Sequence, residues 1–414
     1  MHVLIVTQYF APEDAGIPLG LAHGLIEAGH EVRVLTGFPN YPHGRLFDEY
    51  RLSWRQRENV QGIDVLRVPL YPDHSQNPAR RIANYLSFGA SSATARRFAA
   101  GADVVYVYAT QMTAGFGPWL WRLLGGTPYM LHVQDLWPDS ITGSTIGESS
   151  GTVRKLTALM EPWLKSVYRH ASAVVGIAPS MVDALIERGS APERTSYVFN
   201  WGDEDIAAAR EEALASAAAR RSADRAATEV VYAGNIGDLQ DLPTAVLAAQ
   251  TLQHDDFRLH LVGDGVAVEA LQRLVRERGI TNVTFHPGVP REQMPEVYAA
   301  ADFSLVTLKD LPIFHGTIPS KFQSSMASGV PVITTVQGDL RGIVEEFGVG
   351  FTADAEDVAA LSAAFRRAHE LNLSERKSMA TRAQTAYRDQ FSREAAVSTI
   401  ENILLQVPAR KATS

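Results

Sequence analysis

The stretch that decides the fold is HGTIPSKFQSSMASGVPVITT, residues 315–335. It predicts a loop, a short helix that starts at Pro319, and a buried β-branched strand after Gly329, a residue suited to a left-handed helix end. The first N–H groups of a helix have no partner within it, so this helix start favours an anion, and Lys321 adds a positive charge. We therefore expect a phosphate or diphosphate site, against the alternative of an ordinary strand–helix–strand unit with a surface lysine.

The composition is that of an ordinary globular protein of two domains. Its 414 residues exceed the roughly 250–300 at which a single core stops growing. The net charge of −8 argues against a nucleic-acid partner, and the absence of cysteine excludes disulfides and thiolate metal sites. The first residues do not resemble a signal peptide, and no stretch reaches about 18 apolar residues. We expect a cytoplasmic protein, soluble or peripheral on the inner face of the cell membrane.

Strand-like and helix-like segments alternate in both halves, as in doubly wound α/β domains. The pattern predicts one long helix over Pro78–Ala99 in the first half, and the region after Ala355 is almost wholly helical. The boundary between the two predicted domains lies near Asn200–Ala227, where an Ala-rich and Arg-rich segment predicts a helical linker. The predicted domains are residues 1–199 and 200–391, followed by residues 392–414, whose tail after Val407 is expected to be disordered.

Polar loops follow the predicted strands of the first half, where α/β domains place their ligands. QYFAPEDAGIP carries Gly16, which could bring backbone close to a bound group, although no GxGxxG is present. GFPNYPHG offers Asn40 and Tyr41, and HVQDLWPDS offers His132, Gln134 and Asp135. Asp135 is a candidate base or hydroxyl anchor, or else a residue that caps a turn.

Three glycine-containing loops follow the predicted strands of the second half. AGNIGDL, with Gly234 and Asn235, leaves room for a phosphate, while LVGDGV and FHPGVP are candidates to hold a base and a ribose. The acids at Asp255–Asp256 and Asp203–Asp205 lie in polar loops or linkers, so we expect them to be solvated and predict no metal site.

These motifs, in this order and at this spacing, resemble the GT-B glycosyltransferases, and specifically the retaining family 4 group. The subgroup most similar is that of bacterial O-antigen and capsule aminosugar transferases, and the likeness spans residues 1 to about 350. It implies an α/β protein of GT-B fold, with two Rossmann-like, doubly wound domains facing a cleft. The first domain would hold the acceptor, the second the nucleotide-sugar, and the final helix, near Ser392–Gln406, would cross back to the first.

The resemblance also assigns roles to residues. Lys321 and Asp135 would be catalytic, with Lys321 stabilising the leaving diphosphate electrostatically and Asp135 orienting the acceptor. The residues implied on the donor side are Gly16, Gly234, Asn235, Gly288, Val289, Gly316, Thr317, Ile318, Ser320, Lys321 and Ser324. Those implied on the acceptor side are Asn40, Tyr41, His132 and Gln134.

Four positions depart from the family pattern. Two glutamates commonly stand eight positions apart around the diphosphate turn, where this chain has Gly316 and Ser324. An arginine and a lysine often follow the first strand of the second domain, where this chain has Asn235 and Gln240. Lys321 would then carry the diphosphate charge alone, and Ser324 cannot accept hydrogen bonds as a carboxylate does.

The resulting hypothesis is transfer of a hexose or aminosugar, with retention, from a nucleotide-sugar (a UDP-sugar) to a hydroxyl acceptor in cell-surface polysaccharide or glycolipid synthesis, without a metal or other cofactor. The alternatives are a GT-B-type sugar-nucleotide epimerase and a non-catalytic donor-binding subunit. The acceptor would be a sugar or a polyprenyl-linked sugar. The cluster Trp119–Leu123 would suit either a core helix, which is the default, or a peripheral membrane contact.

Overall fold

Two mostly parallel sheets organise the chain in a computed structural model, which describes residues 1–74, 77–137, 151–202, 209 and 227–407. The chain divides into two compact units: Met1–Asn200 with Ala396–Ser414 form the first, and Trp201–Ala395 form the second. Residues 138–150, Asp203–Asp205, most of the predicted linker and the tail after Val407 lie outside the described residues.

The first unit is built on an eight-stranded sheet with the order β3-β4-β2-β1-β5-β6-β7-β8. Neighbouring strands are parallel except β3 and β4, which are antiparallel. The strands are β1 (His2–Thr7), β2 (Glu31–Gly37), β3 (Gln56–Val60), β4 (Ile63–Val68), β5 (Val104–Ala109), β6 (Tyr129–Val133), β7 (Ala173–Gly176) and β8 (Thr195–Tyr197). Because β1 and β5 are nearly continuous apolar runs, they suit the centre of a sheet that is covered on both faces.

Seven helices accompany this sheet in the described residues. They are α1 (Gly16–Glu27), α2 (Pro78–Ala93), α3 (Arg96–Ala99), α4 (Phe116–Leu123), α5 (Gly151–His170), α6 (Pro179–Glu187) and, from the end of the chain, α14 (Arg393–Gln406). Asn77 caps α2, because its side-chain oxygen accepts from the N–H groups of Ala79 and Arg80. Val397 of α14 lies so close to α1 that a Cβ built on Gly24 would come within 2.7 Å of it.

The second unit is built on six parallel strands with the order β11-β10-β9-β12-β13-β14. They are β9 (Thr228–Ala233), β10 (Phe257–Val262), β11 (Val283–His286), β12 (Phe303–Val306), β13 (Val332–Thr334) and β14 (Gly350–Thr352). Its helices are α7 (Leu242–Gln250), α8 (Val268–Arg278), α9 (Met294–Ala300), α10 (Ser320–Ala327), α11 (Asp339–Phe347), α12 (Val358–Glu370) and α13 (Leu373–Ala386). A π-helical turn, Tyr387–Phe391, precedes α14.

The prediction of two doubly wound α/β domains is confirmed, whereas some details are wrong. The single helix over Pro78–Ala99 is in fact two helices, because the chain turns at Thr94 between α2 and α3. The sequence pattern also misses β3, a polar edge strand with the sequence QRENV that has no buried face to reveal it. Within the described ranges, no helix is both long enough and apolar enough to cross a bilayer.

Candidate functional site

The turn before α10 presents free backbone donors beside a lysine. Pro319 has extended geometry, with φ −62° and ψ 138°, so it precedes the helix instead of starting it as predicted. The N–H groups of Ser320 and Lys321 then lie in the first turn, and no acceptor in the described chain engages them. The predicted helix end at Gly329 is confirmed by its φ of +60°. The turn has the backbone donors that an anion site requires.

Lys321 is held against an aromatic ring without a counter-charge. Its Nζ lies 3.8 Å from the centroid of the Tyr232 ring. Burial lowers the pKa of Lys321 to about 8, and among the described residues no carboxylate forms an ion pair with it. The ring attracts the cation, but it does not neutralise its charge. A lysine in this setting favours an anionic ligand that would restore its full charge.

The loop after β9 approaches the same lysine. A Cβ built on Gly234, whose φ is +136°, would lie 3.4 Å from Lys321 Nζ. The Tyr232 hydroxyl donates to the carbonyl of Asn235 at 2.5 Å, which fixes the turn that follows the strand. The structure therefore brings together three of the predicted donor-side elements: Gly234, Asn235 and the start of α10.

The glycines of the LVGDGV loop are explained by packing. A Cβ on Gly263 would come within 1.9 Å of the Gly234 carbonyl oxygen, and one on Gly265 within 2.2 Å of the Ile236 carbonyl oxygen. Both glycines also have φ near +150°, where side chains are strained. The loops after β9 and β10 thus interlock, and glycine is required for that contact.

Asp264 joins this pair of loops to the one after β11. Its Oδ2 accepts from the N–H of Gly288 at 3.1 Å, and Val289 packs on the apolar cluster of Val231, Ala233 and Val262. Sequence reasoning missed Asp264, although it lies between the two glycines of a loop that was singled out. Its position suggests that it sets the shape of the Phe285–Pro290 loop.

The positions that depart from the family pattern are occupied by small or neutral groups. The Gln240 side-chain oxygen accepts from the N–H of Gly237 at 3.1 Å and from Asn235 Nδ2 at 3.5 Å, so these two amides brace their own loop. Ser324 is half-buried on α10, and Gly316, Thr317 and Ile318 are half-buried in the turn before it. Lys321 is therefore the one basic side chain among the predicted donor-side residues.

Metal ligands do not cluster in the part of the chain that the structure describes. No group of three or more His, Asp or Glu side chains there has the arrangement needed to hold a metal ion. Asp255 instead lies 3.8 Å from Arg366 as an exposed ion pair.

In the first unit, Asp135 lies two residues after the end of β6. It is exposed at the surface, yet enough protein surrounds its carboxyl that desolvation raises its pKa. Desolvation, and after it the charge of Asp135, raises the pKa of the Tyr108 hydroxyl. A carboxylate of this kind can accept a hydrogen bond from a hydroxyl ligand. Asp135 also lies near a strand end, as the sequence predicted.

Three other predicted acceptor-side residues are enclosed. His132 is fully buried beside the Tyr106 hydroxyl at 2.5 Å, and burial lowers the pKa of its imidazole to about 4. Gln134 accepts from Asn200 Nδ2 at 2.7 Å, and Asn40 donates to the Phe38 carbonyl. These three side chains are buried at the strand ends, and their place on the acceptor side stays a prediction. Tyr41 is half-buried and packs near Tyr9 and His74.

Gly16 begins α1 in open space. A Cβ built there would meet no atom within 4 Å, so nothing in the described chain requires glycine at this position by packing. The close approach of a bound group to Gly16 therefore stays a prediction.

Glu13 is the main residue that sequence reasoning missed in the first unit. Its carboxylate accepts from the N–H groups of Asn40 at 2.8 Å, Tyr41 at 2.9 Å and Phe10 at 3.1 Å. It is 4% exposed, and burial raises its pKa to about 7 although these N–H groups and Arg67 act to lower it. Glu13 therefore ties the loop after β1 to the loop after β2. The only signal in the sequence was a pair of adjacent acids, Glu13 and Asp14, after the apolar and aromatic residues of this loop.

Two family models match the chain. Residues 18–201 match the glycosyl transferase 4-like domain, and residues 218–386 match the glycosyl transferases group 1. The chain belongs to the family 4-like glycosyltransferases of GT-B fold. It is thus a glycosyltransferase, and the GT-B prediction is confirmed.

Named relatives and solved structures agree with this assignment. The chain is 28% identical over 383 residues to the putative colanic acid biosynthesis glycosyl transferase WcaI of Escherichia coli K12, covering 89% of this chain and 92% of that protein. It is 24% identical to the probable glycosyltransferase WbjE of Pseudomonas aeruginosa, over 62% of this chain and 63% of that one. HepE from Anabaena, solved with UDP, has a TM-score of 0.68 at 17% identity over 98% of this chain and all of that one, a likeness of fold.

Proposed function

We propose that this glycosyltransferase moves a hexose or aminosugar from a UDP-sugar to a hydroxyl acceptor, with retention at the anomeric carbon. The acceptor would be a sugar or a polyprenyl-linked sugar in the synthesis of a cell-surface polysaccharide or glycolipid. The observation that carries the proposal is Lys321, a half-buried cation that has no counter-charge among the described residues and lies beside the unpaired N–H groups at the start of α10. The UDP bound by HepE and the colanic acid named for WcaI support the donor and the product class.

We infer the following role for each residue. As the bond between the anomeric carbon and the diphosphate oxygen breaks, negative charge grows on the leaving diphosphate, and Lys321 with the N–H groups of Ser320 and Lys321 stabilises it. The acceptor oxygen bonds to the anomeric carbon on the same face, and its proton passes to the leaving phosphate. Asp135 orients the acceptor, while Gly288 and Val289 frame the nucleotide base.

Thermal unfolding with UDP, GDP, ADP and their sugar conjugates tests the donor assignment. A ligand at about 100 times its dissociation constant stabilises the folded state by about 2.7 kcal/mol. We expect UDP and one UDP-sugar to raise the unfolding midpoint of the wild type and of Lys377→Met, an exposed control lysine on α13. We expect no such shift in Lys321→Met. An equal shift in Lys321→Met would refute the role of this lysine.

A product assay tests the reaction. Once a UDP-sugar is identified, the anomeric configuration of the product is read by proton NMR, and retention is expected. Conversion of the UDP-sugar without any acceptor into another UDP-sugar would instead show an epimerase.

A further inference from the structure

One surface of the first unit combines exposed apolar side chains with arginines. We call it the Trp54 face, made up of Leu52, Trp54, Arg55, Arg96, Arg97, Leu123 and Leu124. Its four apolar side chains are between 46% and 62% exposed, with Trp54 the most exposed of them. An exposed tryptophan with three exposed leucines is unusual on a surface that only meets water.

Contacts between neighbouring segments join the Trp54 face into one surface. Arg55 donates from Nη2 to the Thr94 carbonyl at 2.6 Å, which brings the loop before β3 onto the end of α2. Arg96 donates to the Leu124 carbonyl at 3.2 Å, which brings α3 onto the end of α4. Arg55, Arg96 and Arg97 also line one shallow hollow. Three segments distant in sequence therefore meet on this face.

The Trp54 face is strongly basic on a chain that is acidic overall. Residues 51–57, 94–100 and 122–126 contain six arginines and no Asp or Glu, although the chain carries a net charge of −8. Asp64 of β4 is adjacent, but both of its carboxylate oxygens accept from Arg57, at 2.7 and 2.6 Å. In the described chain no carboxylate pairs with Arg55, Arg96 or Arg97. The face thus has uncompensated positive charge.

We propose that the Trp54 face docks this protein on an anionic lipid bilayer. Arginines are attracted to anionic headgroups, while tryptophan and leucine side chains gain by entering the interface of a bilayer. A nucleic acid or an acidic protein surface would engage the arginines but would leave the leucines in water. The Trp54 face shares Leu123 with the cluster Trp119–Leu123 but not its two tryptophans, because Trp121 is buried and Trp119 donates to Ser166 inside the unit. It does not depend on the reaction proposed above.

Co-sedimentation of the full chain with vesicles tests this proposal. The vesicles are phosphatidylcholine alone, or phosphatidylcholine with phosphatidylglycerol in equal amounts. The variants are Trp54→Ser, whose side chain is exposed, and the double change Arg96→Glu with Arg97→Glu. The matched control is Arg276→Glu with Arg278→Glu, which makes the same change of charge on two exposed arginines of α8 in the second unit. The thermal unfolding midpoint of each variant checks that it is folded.

We expect the wild type and the α8 control to bind the anionic vesicles and to bind phosphatidylcholine weakly. Near an anionic surface each basic residue changes partitioning about fivefold, so reversing two charges should reduce binding at least 25-fold, and Trp54→Ser should also reduce it. Wild-type binding in both variants, or no binding by the wild type, would overturn the proposal. Loss on charge reversal with no effect of Trp54→Ser would also overturn it and would favour a polyanion in water.

Discussion

Replacing Lys321 by methionine should make the unliganded protein more stable while abolishing diphosphate binding. Burial lowers the pKa of Lys321 from 10.5 to about 8, and each pKa unit corresponds to 1.36 kcal/mol. Holding the charged lysine in this site at pH 7 therefore costs about 3 kcal/mol of folding free energy. Methionine has a similar length and no charge, so Lys321→Met should recover up to that amount.

The pH dependence of stability gives the sign of this effect. The folded pKa is lower than the unfolded one, so between about pH 8 and pH 10.5 the unfolded chain binds more protons than the folded one. The free energy of unfolding should then rise with pH across this window in the wild type. This contribution should be absent from Lys321→Met and present in the control Lys377→Met.

Calorimetry measures both parts of the prediction. The chain has two units, so its unfolding need not be a single transition. The transition to follow is the one whose midpoint temperature UDP raises in the wild type. At pH 8 Lys321 is about half protonated, so the binding of UDP should be accompanied by the uptake of about half a proton. Calorimetric titration in buffers of different ionisation enthalpy measures this uptake. A variant that is less stable than the wild type at pH 7 and still binds UDP would refute this reasoning.

Three further outcomes are expected. Burial raises the pKa of Glu13 to about 7, so the protonation of Glu13 should make the free energy of unfolding fall as pH rises from about 4.5 to 7. Glu13→Gln should remove this pH dependence, which urea titrations followed by tryptophan fluorescence measure. Gly263→Ala would place a Cβ within 1.9 Å of the Gly234 carbonyl oxygen and should weaken UDP binding at least tenfold. The control Gly342→Ala, whose Cβ would meet no atom within 4 Å, should leave UDP binding unchanged. Equal affinities of the two variants for UDP would contradict the role of the interlocked loops. Asp135→Asn should lower transfer at least tenfold while keeping the UDP-induced thermal shift, and unchanged transfer would exclude its acceptor role.

Local chemistry made much of the donor-side geometry predictable. The helix start at Ser320, the lysine beside it and the left-handed Gly329 are set by neighbouring residues, so a single stretch indicates them. The apolar runs of β1 and β5 indicate buried parallel strands for the same reason. Errors at this level are small, as with Pro319, which precedes the helix by one residue.

Features that depend on distant residues could not be predicted. Glu13 binds backbone groups of Asn40 and Tyr41, more than 25 positions away, and nothing in its own neighbourhood encodes that contact. His132 and Gln134 were predicted to lie on the acceptor side because they converge with Asp135 after a buried strand, and that role stays a prediction. Their burial is set by the surrounding strands and could not be predicted. Tyr232 is another example, since its ring meets Lys321 only after β9 and α10 have come together.

The last helix imposes an order on how the protein is completed during synthesis. Val397 of α14 packs against Gly24, and Glu401 lies 2.8 Å from His30, so the first unit contains both early and late parts of the chain. The ribosome must add about 200 residues between Asn200 and α14, which takes about 10 to 40 s at about 5 to 20 residues per second. During that time α1 lacks its covering helix, while the second unit, being continuous, emerges whole. The unit that is translated first is therefore the last to be finished, and a chain cut just before Ala396 would contain all of the second unit but not all of the first.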